Sequence, residues 1–136
     1  MGIREKIRSA NILVQPGHLY YKPNWLVLGV NNICNLHCKM CDVGTQSLDT
    51  NFATNLVGTE PLNMPMELFR KIVDEAAEFC PDVKLGYAFT EPLVYPHLVE
   101  SLKYAEKKNL YTSITTNALN LKRMAKEICG AGLKEL

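Results

Sequence analysis

The sequence predicts an α/β fold, in which helices cover a parallel β-sheet. Short apolar runs typical of strands alternate with longer stretches whose apolar residues recur at helical spacing, and prolines bound the clearest of these stretches. Strands that alternate with helices form right-handed βαβ units, so the sheet should be parallel. With 136 residues, 47% hydrophobic and 21% charged, the composition is that of one small globular domain.

The first half of the chain predicts two strands and one helix. Trp25–Val30 is a continuous apolar run, typical of a strand that is buried on both faces. Met66–Phe79 has apolar residues at helical spacing, with Pro65 near its start and Pro81 just past its end. Val83–Phe89 alternates apolar and other residues, which predicts the second strand.

The second half predicts two helices around a third strand. Pro96–Lys108 forms a helix, Tyr111–Thr115 a strand, and Leu121–Cys129 a helix that stops at Gly130 or Gly132. A fourth strand should begin where the sequence stops. Because three or four parallel strands leave a long unpaired edge, we expect the fold to be truncated or completed by other sequence.

The domain organisation follows from these elements. Residues 1–22 form an N-terminal extension, in which Ile3, Ile7, Leu13 and Val14 predict a helix that Gln15-Pro16-Gly17 ends. Residues 23–136 form the α/β core.

Charge and cysteine content narrow the function. Fifteen basic and fourteen acidic residues give a net charge of +1, so nothing favours a nucleic acid or a membrane surface as partner. The longest apolar run is too short to span a bilayer, and the charged start lacks a secretory apolar region, which favours a cytoplasmic protein. Five cysteines are an odd number, and three are close together, which favours metal binding in a reducing compartment.

The three clustered cysteines are Cys34, Cys38 and Cys41, at CxxxCxxC spacing directly after the first predicted strand. Loops at the carboxyl ends of parallel strands are where α/β folds place active sites. Three thiolates can hold three irons of a 4Fe–4S cluster and leave the fourth iron open to another ligand. The pattern therefore predicts a cluster that binds a reactant directly.

Two other classes of protein stay open. A zinc-stabilised binding module would use His37 with the three cysteines, since Cys₃His is a common structural zinc set. A small iron–sulfur electron carrier would need a fourth ligand from Cys80 or Cys129, which otherwise are typical small buried residues at helix ends. Haem attachment is excluded, because Asp42 stands where a histidine is required.

The cysteine spacing, in its position after a first strand, resembles the signature of the radical S-adenosylmethionine (radical SAM) superfamily. Two later segments extend the resemblance. Phe89-Thr90-Glu91-Pro92 is similar to the family's Gly-Gly-Glu-Pro but lacks both glycines, and Thr115-Thr116-Asn117-Ala118 is similar to its Thr-Asn-Gly with alanine for glycine. The resemblance covers roughly residues 23–136, and the order of motifs agrees with the order of elements.

The resemblance implies the first half of a partial (β/α)6 radical SAM barrel, truncated to about its first three βα units. It implies a 4Fe–4S cluster on the three cysteines, and S-adenosylmethionine as second cofactor. Met40 would pack near the adenine, and Glu91 would accept a hydrogen bond from the methionyl amino group. The expected SAM-binding residues are Met40, Thr90, Glu91, Thr116 and Asn117. Alternatively, Glu91 is a charge at a helix start and Thr116 an ordinary strand residue.

The implied activity is that of a radical SAM enzyme. Reductive cleavage of SAM gives methionine and a 5'-deoxyadenosyl radical, which abstracts a hydrogen from the substrate. No side chain is expected to be catalytic, because the protein holds the cluster, orients SAM and excludes water.

Implied partners are a small-molecule or peptide substrate and an electron donor such as flavodoxin or ferredoxin. The motifs are most similar to those of the group of molybdenum-cofactor, pyrroloquinoline-quinone and peptide-modifying enzymes. Since a half-barrel can bind a cluster without completing the SAM pocket, cluster binding and activity are separate expectations.

Overall fold

The computed structural model describes Gly2, Ile3, Lys6 and residues 22–45 and 60–136. Its elements in chain order are β1 (Trp25–Leu28), α1 (Asp42–Thr45), α2 (Met66–Phe79), β2 (Lys84–Tyr87), a 3₁₀ helix (Pro92–Val94), α3 (Leu98–Lys107), β3 (Tyr111–Ile114) and α4 (Leu121–Gly130). The predicted α/β class is confirmed. The predicted N-terminal helix falls almost entirely outside the described residues.

The three strands form a parallel sheet in the order β1-β2-β3. Their first residues are in register, since Trp25 pairs with Lys84 and Lys84 with Tyr111. After α4 the chain returns beside β3, where Ser113 and Glu135 form a parallel bridge. A fourth chain segment thus pairs with the sheet where the sequence predicts a fourth strand.

Each strand is shorter than the sequence predicts. The structure ends them at Leu28, Tyr87 and Ile114, whereas the predicted strands run one or two residues further. At the end of β2 the reason is visible, because Phe89 has a φ of 76°, which no strand accommodates. The residues past each strand belong to the loops of the candidate site.

One face of the sheet carries the core. Leu85 and Tyr87 of β2 are fully buried there and pack in one cluster with Phe69 and Val73 of α2 and with apolar residues of α3 and α4. The Tyr87 hydroxyl donates to Ser101 Oγ at 3.1 Å, and burial raises the pKa of Tyr87 well above its usual range.

The other face of the sheet shows that one prediction was wrong. The first strand was expected to be buried on both sides, yet Trp25 and Val27 are 44% and 42% exposed. Helices α2, α3 and α4 pack against the opposite face, which contains the alternate residues of each strand. On the exposed face the Lys84 ammonium lies 5.2 Å from the centre of the Trp25 ring and 4.6 Å from that of Tyr111.

Left-handed residues turn the chain after α3 and α4. Asn109 has a φ of 60°, and the following amide of Leu110 donates to the carbonyl of Ala105, which closes the end of α3 directly before β3. Gly132 has a φ of 94° in the same role after α4. None of the helices in the described parts of the chain combines the length and apolar character that a membrane span requires.

Candidate cofactor site

The cysteine loop connects β1 to α1 at the carboxyl end of the first strand. Cys34 and Cys41 are half-buried and Cys38 is exposed, and none of the three is in a disulfide. The amide of Cys41 donates to the carbonyl of Cys38 at 3.1 Å, so the CxxC part of the loop is a hydrogen-bonded turn. The loop has the position that the sequence predicts for the cluster.

Gly44 fixes helix α1 against this loop. A Cβ atom on Gly44 would lie 2.8 Å from the carbonyl oxygen of Cys38 and closer still to its nitrogen, so only glycine fits. The Nδ1–H of His37 donates to the Gly44 carbonyl at 3.1 Å, which aims the ring at the backbone of α1. Sequence reasoning missed Gly44, although a glycine three residues after the last clustered cysteine was a signal.

The described side chains do not form a site for a single metal ion. Within residues 22–45 and 60–136, no three His, Cys, Asp or Glu side chains are grouped as a metal ion requires. The donor set fits the implied cluster by its chemistry, since three soft thiolates on one short loop suit iron–sulfur ligation. The assignment of Cys34, Cys38 and Cys41 as ligands therefore stays a prediction.

Glu91 joins the loop after β2 to the loop after β3. Its carboxylate is 1% exposed and accepts three hydrogen bonds: from the amide of Leu93 at 2.8 Å, the hydroxyl of Thr116 at 2.6 Å and the amide of Asn117 at 2.8 Å. Hydrogen bonds to an ionised acceptor are the strong ones, and here they compensate for burial of the carboxylate. Glu91 also caps the 3₁₀ helix, so the alternative of a charge at a helix start holds for this short helix.

Asn31, which sequence reasoning missed, joins the loop after β1 to the loop after β2. Its side chain is buried, with Nδ2 donating to the Glu91 carbonyl at 3.1 Å and Oδ1 accepting from the Thr90 hydroxyl at 2.6 Å. The backbone amide of Glu91 donates in turn to the Ile33 carbonyl at 3.1 Å. An amide side chain directly after an apolar strand was the available signal.

The loop after β3 reaches the cysteine loop through Asn117. Its side-chain nitrogen Nδ2 donates to Asn35 Oδ1 at 2.8 Å and lies 3.7 Å from the sulfur of Cys34. Together with Glu91 and Asn31, this contact connects all three loops at the carboxyl edge of the sheet. The three motifs, distant in sequence, therefore form one site.

Two left-handed residues stand where the family motifs have glycine. Phe89 has a φ of 76° and Ala118 a φ of 63°. For residues other than glycine this conformation costs roughly 1–2 kcal/mol. The backbone thus keeps a glycine-like shape at both motifs although the glycines are replaced.

The predicted SAM-binding residues fall into two groups. Thr90, Glu91, Thr116 and Asn117 lie together, and their polar atoms bind one another or neighbouring loops. Met40 is instead 93% exposed, on the same loop as the cysteines. Contact of any of them with SAM stays a prediction.

The two remaining cysteines lie at the other end of the sheet. Cys80 ends α2 just before β2, at the amino end of that strand, and is buried as predicted. Cys129 lies near the end of α4, which begins after β3 and returns toward the amino ends. The expectation that Cys129 is buried was wrong, because Ile128 takes the inward position and the next side chain is rotated by about 100° around the helix.

The fold and the site define a class: a parallel βα protein with a three-cysteine loop and two further motif loops at the carboxyl ends of its strands. The family model described as the radical SAM superfamily matches residues 28–136. The chain therefore belongs to the radical SAM superfamily, and this membership indicates an enzyme. The match begins inside the predicted core, and the boundary between residues 22 and 23 stays a prediction.

Proposed function

We propose that this chain forms the part of a radical SAM enzyme that binds a 4Fe–4S cluster and S-adenosylmethionine. One observation carries the proposal: the carboxylate of Glu91 and the amide of Asn117 bring the loops after β1, β2 and β3 to one place. The order and position of these loops agree with the motifs of the family to which the chain belongs.

In this proposal Cys34, Cys38 and Cys41 hold the cluster. Gly44 supports them, because α1 packs directly against the backbone of Cys38. When bound, the cluster would supply the electron for reductive cleavage of SAM, the reaction that would generate the radical for hydrogen abstraction from the substrate.

The remaining site residues would orient SAM. Oε2 of Glu91 accepts from the Asn117 amide, and a carboxylate oxygen has two lone pairs, so it can accept a further hydrogen bond from an ammonium group. Because Glu91 is 1% exposed, the methionyl amino group would reach it only when the surrounding loops shift. The exposed thioether of Met40 would cover the adenine.

The proposal includes partners and a compartment. A reduced cluster requires a one-electron donor, for which flavodoxin or ferredoxin is suited. The substrate is a small molecule or a peptide. A cytoplasmic location agrees with a cysteine set that must stay reduced to bind iron.

The test is anaerobic reconstitution with iron and sulfide, followed by EPR of the dithionite-reduced protein with and without SAM. We expect a 4Fe–4S signal that SAM changes, because SAM would bind the iron that has no cysteine. A signal indifferent to SAM would favour an electron carrier. Tight zinc binding without iron uptake would overturn the proposal.

Cysteine variants provide the matched comparison. Replacement of Cys34, Cys38 or Cys41 with alanine should abolish the signal. Cys129→Ala should retain it, because Cys129 is exposed near the end of α4, away from the cysteine loop. Cys80→Ala should also retain it, and loss of the cluster in either control would indicate four protein ligands and an electron carrier.

A further inference from the structure

The side-chain amide of Asn117 points toward the sulfur of Cys34 in the cysteine loop. Its Nδ2 lies 3.7 Å from Cys34 Sγ and 2.8 Å from Asn35 Oδ1. An amide nitrogen has two hydrogens, so it can donate to both acceptors at once.

The orientation of this amide is determined by its own loop. Asn117 Oδ1 accepts from the amide of Leu119 at 3.0 Å, an interaction that only the oxygen end can make. The NH₂ group must therefore face Cys34 and Asn35. The assignment of nitrogen and oxygen follows from the hydrogen-bond network.

The backbone of Asn117 is fixed as well. Its amide donates to Glu91 Oε2 at 2.8 Å, and the preceding Thr116 donates its hydroxyl to Glu91 Oε1 at 2.6 Å. Two hydrogen bonds to one buried carboxylate hold the loop after β3 against the loop after β2, and the Glu91 amide donates in turn to the Ile33 carbonyl in the loop after β1. The donor is thus positioned before any cluster binds.

We propose that Asn117 is a positioning residue that raises the reduction potential of the cluster by donating an N–H···S hydrogen bond to the Cys34 sulfur. A donor to a ligand sulfur stabilises the reduced cluster more than the oxidised one, since the reduced form carries one more negative charge. This inference rests on the proposed function, and Glu91 enters it only by fixing Asn117.

The test is a redox titration of the reconstituted protein, monitored by EPR. Asn117→Ala removes the donor without adding charge, and Asn117→Asp keeps the acceptor for the Leu119 amide while removing the NH₂ group. We expect both variants to shift the reduction equilibrium toward the oxidised cluster by about tenfold, which is about 59 mV for one electron. Asn120→Asp is the control for the added charge of Asn117→Asp. The side chain of Asn120 makes no capping hydrogen bond to α4, so this replacement adds a charge without removing such a bond.

The outcomes separate this inference from the proposed function. Failure of the wild-type chain to assemble a cluster would overturn both. A normal cluster with unchanged potential in both Asn117 variants would overturn the inference alone. A shift in Asn117→Asp without one in Asn117→Ala would also overturn it, because charge would then be the cause.

A second measurement, on the metal-free protein, tests the contact between Asn117 and Cys34 even if a variant fails to take up iron. In the metal-free protein, the side-chain amide resonances of Asn117 should move in Cys34→Ala and stay in place in Cys129→Ala, because Cys129 is exposed near the end of α4. Equal shifts in the two variants, or no shift in either, would contradict the contact with Cys34.

Discussion

The hydroxyl of Thr116 donates to Oε1 of Glu91 across 2.6 Å, and so connects the loop after β3 to the loop after β2. The amide of Asn117 donates to the other oxygen of the same carboxylate. A carboxylate that is 1% exposed therefore keeps the loops of two neighbouring strands together.

Glu91→Gln should destabilise the chain, because the carboxamide NH₂ replaces one acceptor oxygen and must face a donor. Loss of one such buried hydrogen bond costs about 1–3 kcal/mol. The midpoint of urea unfolding should fall accordingly. Glu127→Gln, on the exposed surface of α4, should change the midpoint little. Equal midpoints for Glu91→Gln and wild type would show that the Glu91 hydrogen bonds do not hold the loops.

Ala118→Gly should stabilise the protein. Ala118 has a φ of 63°, and glycine removes the steric penalty of this conformation while adding entropy to the unfolded chain. The net gain should be about 0.5–1 kcal/mol, measured as a higher urea midpoint. Ala125→Gly in the interior of α4 is the matched control and should lose about 1 kcal/mol, because its backbone is helical. A change of the urea midpoint in the same direction for both variants would contradict strain at Ala118.

Gly44→Ala should disturb the cysteine loop. The added methyl group would overlap the backbone of Cys38, so α1 or the loop must move. We expect less iron bound per chain after reconstitution, measured by iron and sulfide analysis. Gly130→Ala is the control, since a Cβ there meets no atom within 4 Å, and its iron content should equal that of the wild type. Full iron uptake by Gly44→Ala would show that α1 does not support the loop.

Tyr87 should make the folded state sensitive to high pH. Burial raises the pKa of Tyr87, so above about pH 10 the unfolded chain loses a proton that the folded chain keeps. The contribution is complete below the unfolded pKa and is lost as pH rises, at about 1.4 kcal/mol per pH unit. Tyr87→Phe should reduce this slope of unfolding free energy against pH, measured by urea unfolding between about pH 9 and 11.

The matched control for Tyr87 is Tyr111→Phe. The pKa of Tyr111 is also raised, first by partial burial and then by Glu135, but this side chain is 37% exposed. Its removal should change the slope less than removal of Tyr87. A slope that is the same in Tyr87→Phe and wild type would mean that the buried hydroxyl does not control alkaline unfolding.

Sequence periodicity identified the three strands and the helices α2, α3 and α4 in their order, but it missed α1 and the 3₁₀ helix, which are too short to show a period. The apolar spacing of Met66–Phe79 gives α2 at the same bounds in the structure, because a helix that buries one stripe must repeat it. The strand ends were predicted too far along, because apolar residues such as Phe89 continue past the last ladder pair. Burial of Cys129 was predicted wrongly, since apolar character alone does not distinguish neighbouring positions around a helix.

The sequence by itself determined the fold class, the family and the motifs around Cys34, Glu91 and Asn117, because each is written as a local pattern of residue types. Only the tertiary structure decided how those motifs meet. Asn31 and Glu91 connect the loops by hydrogen bonds, and Gly44 lets α1 pack against Cys38. The side-chain amide of Asn117 lies against the sulfur of Cys34. These relationships depend on distances between loops that parallel strands bring to one edge. Residues far apart in the chain carry no local signal of such distances.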